Sequence, residues 1–378
     1  MDGKRDPKKG VQFSECEALD LPGAGLFIQN CDPQLDDVNF TSCLGKKDTS
    51  YSYGSGIYST GNSNPVIANS HFVSCKSENQ GAGGYLGGPS ARIENCTFKL
   101  CQSAGFGAAM RIASTSCEIK GCLIDQCQST TIDTPLIFYD IPLGTLTITN
   151  TSITKSVGTG TQGGALRVNS KSFRMTNVQI VDITLNRPTI HYNAQGAAGY
   201  IKTVSSDFTD CRFEKCTSAQ RAGALSYTNS AGILTQCTFD TCIAEAGNGG
   251  AVEIDGTSSV AFVSCIFTAC SSGNGDGGAV WANVIANAIS FKEGSVRTCS
   301  ATGSGGGLFV SLVSRTTGTV KLENVEFGKE SADLNLCSGS GTDIYVHTTT
   351  VPSILNPGTH RRLLHHSKEY RNQHFRRK

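Results

Sequence analysis

Apolar and polar residues alternate along this chain in short runs such as Val11-Gln12-Phe13 and Thr97-Phe98-Lys99, the period of strands and not of helices. One unit recurs throughout, an apolar residue followed three positions later by Cys. Its apolar members are Phe13, Phe40, Phe72, Phe98, Ile124, Ile153, Ile180, Phe213, Phe239, Phe267, Val296 and Phe327, spaced 26 to 33 residues apart. Nine of the twelve carry the trailing thiol: Cys16, Cys43, Cys75, Cys101, Cys127, Cys216, Cys242, Cys270 and Cys299. Five also have a Cys two residues earlier, at Cys96, Cys122, Cys211, Cys237 and Cys265, so 14 of the 17 cysteines fall on two repeat positions.

About eleven residues after each unit comes a second block, as in Gly163-Gly164-Ala165-Leu166-Arg167-Val168 and Gly277-Gly278-Ala279-Val280-Trp281-Ala282. Its Gly pair reads as a turn into another strand. Two or three short strands per unit make one coil of a solenoid, which buries its apolar face only when stacked on its neighbours. The pattern therefore predicts an all-β fold, a parallel β-helix of about twelve coils and roughly 58 Å. The expected domain runs over 11–350, with disordered ends at 1–10 and 351–378. Leucine-rich repeats, propeller blades and nine-residue calcium rolls have other periods. The stretch Gly273-Asn274-Gly275-Asp276-Gly277 has the flavour of such a roll but reads as a plain turn.

Composition agrees: 43 Gly and 10 Pro suit many tight turns. The net charge of +1 hides a basic tail from His360 to Lys378, without which 25 basic residues face 30 acidic ones. An acidic body argues against a nucleic-acid partner. No apolar run is long enough for a transmembrane span. The basic start, Met1 to Lys9, is followed by no apolar stretch, so no secretory signal is expected in the chain as written.

The GGA[L/V] blocks, with Phe-x-x-Cys where Phe-x-x-Asn is common, resemble the repeats of chlamydial polymorphic outer-membrane proteins. They resemble still more the Cys-rich right-handed β-helix proteins of protists. The likeness covers about residues 11–346. It implies a right-handed, pectin-lyase-like helix, an extracellular or cell-surface location and an adhesive role toward a glycan or a host or cell-surface protein.

Three readings of the thiol ladder stand side by side. The favoured one makes the cysteines buried small residues filling an inward corner. Disulfides are the second, although neighbouring coils set Cβ atoms near 4.8 Å apart against the roughly 3.8 Å preferred. Zinc is the third, without the C-x-x-C pairs of structural sites, so no metal and no cofactor is expected.

No catalytic constellation is evident, and the Gly-His-Gly of related hydrolases is absent. The best catalytic candidates are Glu214 and Asp240, which register places about 5 Å apart on adjacent coils, within reach of a retaining glycosidase pair. A chance pair of solvated acids explains them equally. A binding face has the better claim. The outward position of the Gly-block strand reads Phe27, Tyr58, Arg111, Phe138, Arg167, His191, Ser226, Glu253, Trp281, Phe309 and Tyr345. Trp281, Phe309 and Tyr345 are consecutive aromatics there. The expectation is thus a non-catalytic scaffold or adhesion module. A polysaccharide lyase or glycoside hydrolase on the same fold is the alternative.

Overall fold

The computed structural model describes residues 10–48, 53–130, 135–186, 194–283, 288–312, 319–328, 332–348 and 363–366. Every strand pairing among them is parallel, and each coil hydrogen-bonds to the next. The chain is a parallel β-helix.

The Phe strands stack from Val11–Ser14 to Thr319–Phe327 without a slip. Phe13 pairs with Phe40, Phe40 with Phe72, Phe72 with Phe98 and Phe98 with Ile124. Ile153 and Ile180 follow, then Phe213, Phe239, Phe267, Val296 and Phe327. All twelve predicted positions share one inner line. Their rings stack nearly flat, with centroids 4.6 Å apart at Phe72–Phe98 and 4.7 Å apart at Phe239–Phe267. A one-residue slip anywhere would turn a ring outward, which is why register is held so strictly.

Most coils carry the two or three strands expected, because the Gly-block strand often runs on unbroken, as in Gly84–Glu94 and Met110–Lys120. Its continuation forms a middle segment before the Phe strand, whose inner line includes Ile93, Ile119, Ile148, Met175 and Phe208. A two- or three-residue strand follows the thiol corner, as at Gln102–Ser103.

The corners explain the cysteines. Immediately before each ladder Cys the chain takes a left-handed turn, with φ between 53° and 55° at Glu15, Ser42, Leu100, Gln126, Thr241 and Thr298. A second left-handed corner precedes the Phe strand, at Asn69, Asn95, Asn150, Asn177 and Asp210. The residue after the turn then points inward, most often a small one, with Ile183 taking the place in register with Cys216. Cys75, Cys101, Cys127, Cys242 and Cys270 lie fully inside the core. Their Sγ atoms donate back to the carbonyl of the preceding coil's Phe-line residue: Cys101 to Phe72 O at 3.4 Å, Cys127 to Phe98 O at 3.5 Å, Cys242 to Phe213 O at 3.5 Å.

Asn335 closes the ladder below Cys299 and does the same job, donating from Nδ2 to Val296 O at 2.9 Å. All 17 cysteines are free thiols. Burial pushes the Cys242 and Cys299 thiols up, which keeps them protonated donors. Among the described residues no group of three His, Cys, Asp or Glu is placed to hold a metal ion.

The first Gly of each block sits at a third left-handed position. Ten glycines, among them Gly54, Gly107, Gly249 and Gly277, have φ from +62° to +75° there. A Cβ on Gly249 would lie 2.4 Å from Val252 O. Ala222 occupies the same position one coil earlier at φ 51°, so a methyl is accommodated only by shifting the backbone. Gly249→Ala is expected to lose about 1–2 kcal/mol, the usual left-handed penalty of a Cβ. A lowered urea midpoint with an unchanged slope checks it.

Two expectations need amendment. His191 lies outside the described residues, and its place in the outward column belongs to Tyr200, which pairs with Arg167. Within the stretch expected to be a disordered tail, Leu363–His366 forms a strand parallel to Ile344–Thr348 and covers the last Gly-block edge. No helix among the described residues is long and apolar enough to cross a membrane.

Candidate binding face

The outward column of the Gly-block strands is a continuous ladder. In register it reads Phe27, Tyr58, Tyr85, Arg111, Phe138, Arg167, Tyr200, Ser226, Glu253, Trp281, Phe309 and Tyr345. Tyr85 and Tyr200 were missed in the sequence because each follows a Gly (Gly84, Gly199) where the block motif asks for Leu or Val.

The upper part is a cation–π stack. Tyr58 and Tyr85 have centroids 5.0 Å apart, and Arg111 lies 5.4 Å from Tyr85 and 5.2 Å from Phe138. Arg167 lies 5.3 Å from Phe138 on its other side. Side chains from the turn before each Gly block fold over the next coil's ladder residue. Tyr53 stacks on Tyr85 at 5.2 Å, Phe106 on Phe138 at 4.3 Å, and Gln80 accepts from Arg111.

The lower part holds the three predicted aromatics. Trp281 and Phe309 lie 6.4 Å apart at 8°, and Phe309 and Tyr345 lie 5.2 Å apart at 23°. The rings lie face against face, and Phe309 is only 8% exposed. Phe309 is thus flanked on both sides, and the accessible ring surface belongs chiefly to Trp281 and Tyr345.

Between the two aromatic parts the ladder turns polar. Ser226 donates to Gln195 Oε1 at 3.2 Å. Glu253 is 1% exposed; its Oε1 accepts from Arg221 Nη1 at 3.0 Å, while Oε2 has no hydrogen-bond partner among the described residues. Burial pushes the Glu253 carboxyl up to about 7, against the pull of Arg221 and with a further push from Asp255. Nothing in the sequence marked this group, because its burial depends on turns folding back over a nominally outward position.

Glu214 and Asp240 are paired across adjacent coils, as register predicts. Glu214, however, has both oxygens taken, Oε2 by Arg212 at 2.6 Å and Oε1 by Lys215 at 3.5 Å. Asp240 accepts from Thr241 Oγ1 at 3.0 Å. This is an ion-paired surface strip. In the Gly273–Gly277 turn, Asp276 Oδ1 accepts from Ser304 N at 2.7 Å and its own N–H goes to Asn248, so the acid caps stacked turns.

An all-parallel helix of coils with thiol and Asn ladders at left-handed corners defines the β-solenoid class. Residues 5–180 match the family model of the right-handed β-helix region, and the protein is a right-handed parallel β-helix. No curated protein and no solved structure matches the chain.

Proposed function

We propose that this protein is a non-catalytic scaffold, an adhesion module at a cell surface, that engages a partner through the lower aromatic run of its Gly-block face. The observation that carries the reading is the in-register alignment of Trp281, Phe309 and Tyr345, pre-stacked on one another. Rings already ordered lose little freedom on binding, so they make an inexpensive anchor. The enzyme alternative draws less support, since the ion pairs at Glu214 leave no free carboxylate opposite Asp240.

The test is binding of the purified protein to cell surfaces and to a glycan array, with polyuronates assayed for turnover. Trp281→Ala is expected to weaken cell binding about tenfold or more, the effect of a central anchor. Release of reducing ends or unsaturated products, abolished in Glu214→Gln or Asp240→Asn, would overturn the reading.

A further inference from the structure

Glu253 sits at the break between the two aromatic runs, in register with Ser226 on one coil and Trp281 on the next. Its carboxylate is almost wholly buried, with one oxygen on Arg221 and the other without a partner. Arg221 belongs to the turn that leads into Gly223, and its stem packs so closely on the following coil that a Cβ on Gly247 would meet Cγ at 2.8 Å. Arg221 N and Ala222 N tie that turn to Ala194 O and Asn248 O. The Glu253–Arg221 contact therefore ties one coil's turn to the next, beside the only Trp of the chain.

We propose that Glu253 is a proton-operated latch. Protonated, it stays buried under the Gln220–Ala222 turn; ionised, its desolvation drives it toward water and loosens the turn. A carboxyl that is desolvated, with one oxygen unsatisfied and a single guanidinium against it, sits near balance between its two forms. The group's position close to neutrality is in line with this. The surroundings supply no competing titration. Ser226 and Thr228 lie on the preceding strand, Trp281 and Asn283 on the following one, and the charged groups against Glu253 are Arg221 and, two residues along its own strand, Asp255. Asp255 is held by Gly256 N at 2.8 Å and Asn283 Nδ2 at 3.1 Å. The use of the latch, regulating the aromatic run, rests on the function proposed above; the titration itself does not.

Trp281 reports the latch without any ligand, because a neutral carboxyl beside an indole quenches its emission more than a carboxylate does. Intrinsic fluorescence of the full chain, titrated from pH 5 to 9, is expected to show a transition with its midpoint near 7. Glu253→Gln should abolish it. Arg221→Gln should move the midpoint upward, since the guanidinium favours the ionised form. Amide exchange at Arg221 and Ala222, corrected for intrinsic rates, should quicken above the midpoint in the wild type only. No transition between pH 5.5 and 8.5, the same transition in Glu253→Gln, or a midpoint unmoved or lowered in Arg221→Gln overturns the proposal. No fluorescence transition in the wild type, together with loss of cell binding in Trp281→Ala, would sink the latch and leave the binding face standing.

Discussion

Phe239→Ala is expected to destabilise the protein by about 3–5 kcal/mol, the range for emptying a fully buried aromatic site. The reason lies in the ladder. Phe239 has no exposed surface, and its ring is stacked on Phe213 at 4.8 Å and on Phe267 at 4.7 Å. The flanking rings belong to strands locked by backbone hydrogen bonds, so they cannot slide to fill the space, and the cavity term stays large. The first rung makes the internal comparison. Phe13 is partly exposed and has a ring on one side only, so Phe13→Ala should lose about 1 kcal/mol. Urea unfolding of the two variants checks the difference, with hydrogen exchange locating the damage in the coils around residue 239. Equal losses at the two positions would mean that stacking within the rod contributes little.

Stability should also fall as pH rises from about 4.5 to about 7, and Glu253 is the source. Its ordinary carboxyl value is 4.5 and its folded value about 7, so over that interval the folded chain holds a proton that the unfolded chain has lost. Stability follows the difference in bound protons between unfolded and native states, which is negative here, so it decreases with pH. The contribution is fully present below about 4.5, is lost as pH rises through 7 and is flat above. The 2.5-unit difference amounts to about 3 kcal/mol as an order of magnitude. Ordinary surface carboxylates push the other way at lower pH, so the signature is sought by difference. Wild type minus Glu253→Gln, measured by urea midpoint at pH 5, 6, 7 and 8, should decline by most of that amount and then level. A difference independent of pH would mean that the carboxylate is as well solvated folded as unfolded.

Much of the fold was legible because the repeat is enforced by physics that reads directly in residue types. Rings stack only on like positions, so Phe98, Ile124, Phe213, Phe239 and Phe267 announce their line. The glycines at the left-handed block position mark their turn. The corners before the ladder thiols were less visible, because Leu100, Thr241 and Thr298 hold left-handed conformations that sequence habit reserves for Gly and Asn. There the coil geometry overrides local preference, and the small inward Cys behind each corner is the surviving sign.

The face was half legible. Alternation placed Trp281, Phe309 and Tyr345 on one outward column, yet it could not show that their rings cover one another. The turn residues Tyr53, Phe106 and Arg221 reach the ladder of the next coil, each across 32 positions of sequence, and no periodicity of the strand pattern links such partners. That is why Glu253 passed as an ordinary exposed acid.

The central claim is that the apolar line of each coil lies directly on that of the next. Nuclear Overhauser spectroscopy on protein carrying protonated Phe in a deuterated background reads this most directly. Ring-to-ring cross-peaks are predicted between Phe213 and Phe239 and between Phe239 and Phe267, residues 26 and 28 apart in the chain, with none between Phe213 and Phe267. A Phe239 ring free of both neighbours, or a Phe213–Phe267 peak of equal strength, would contradict the stacked helix.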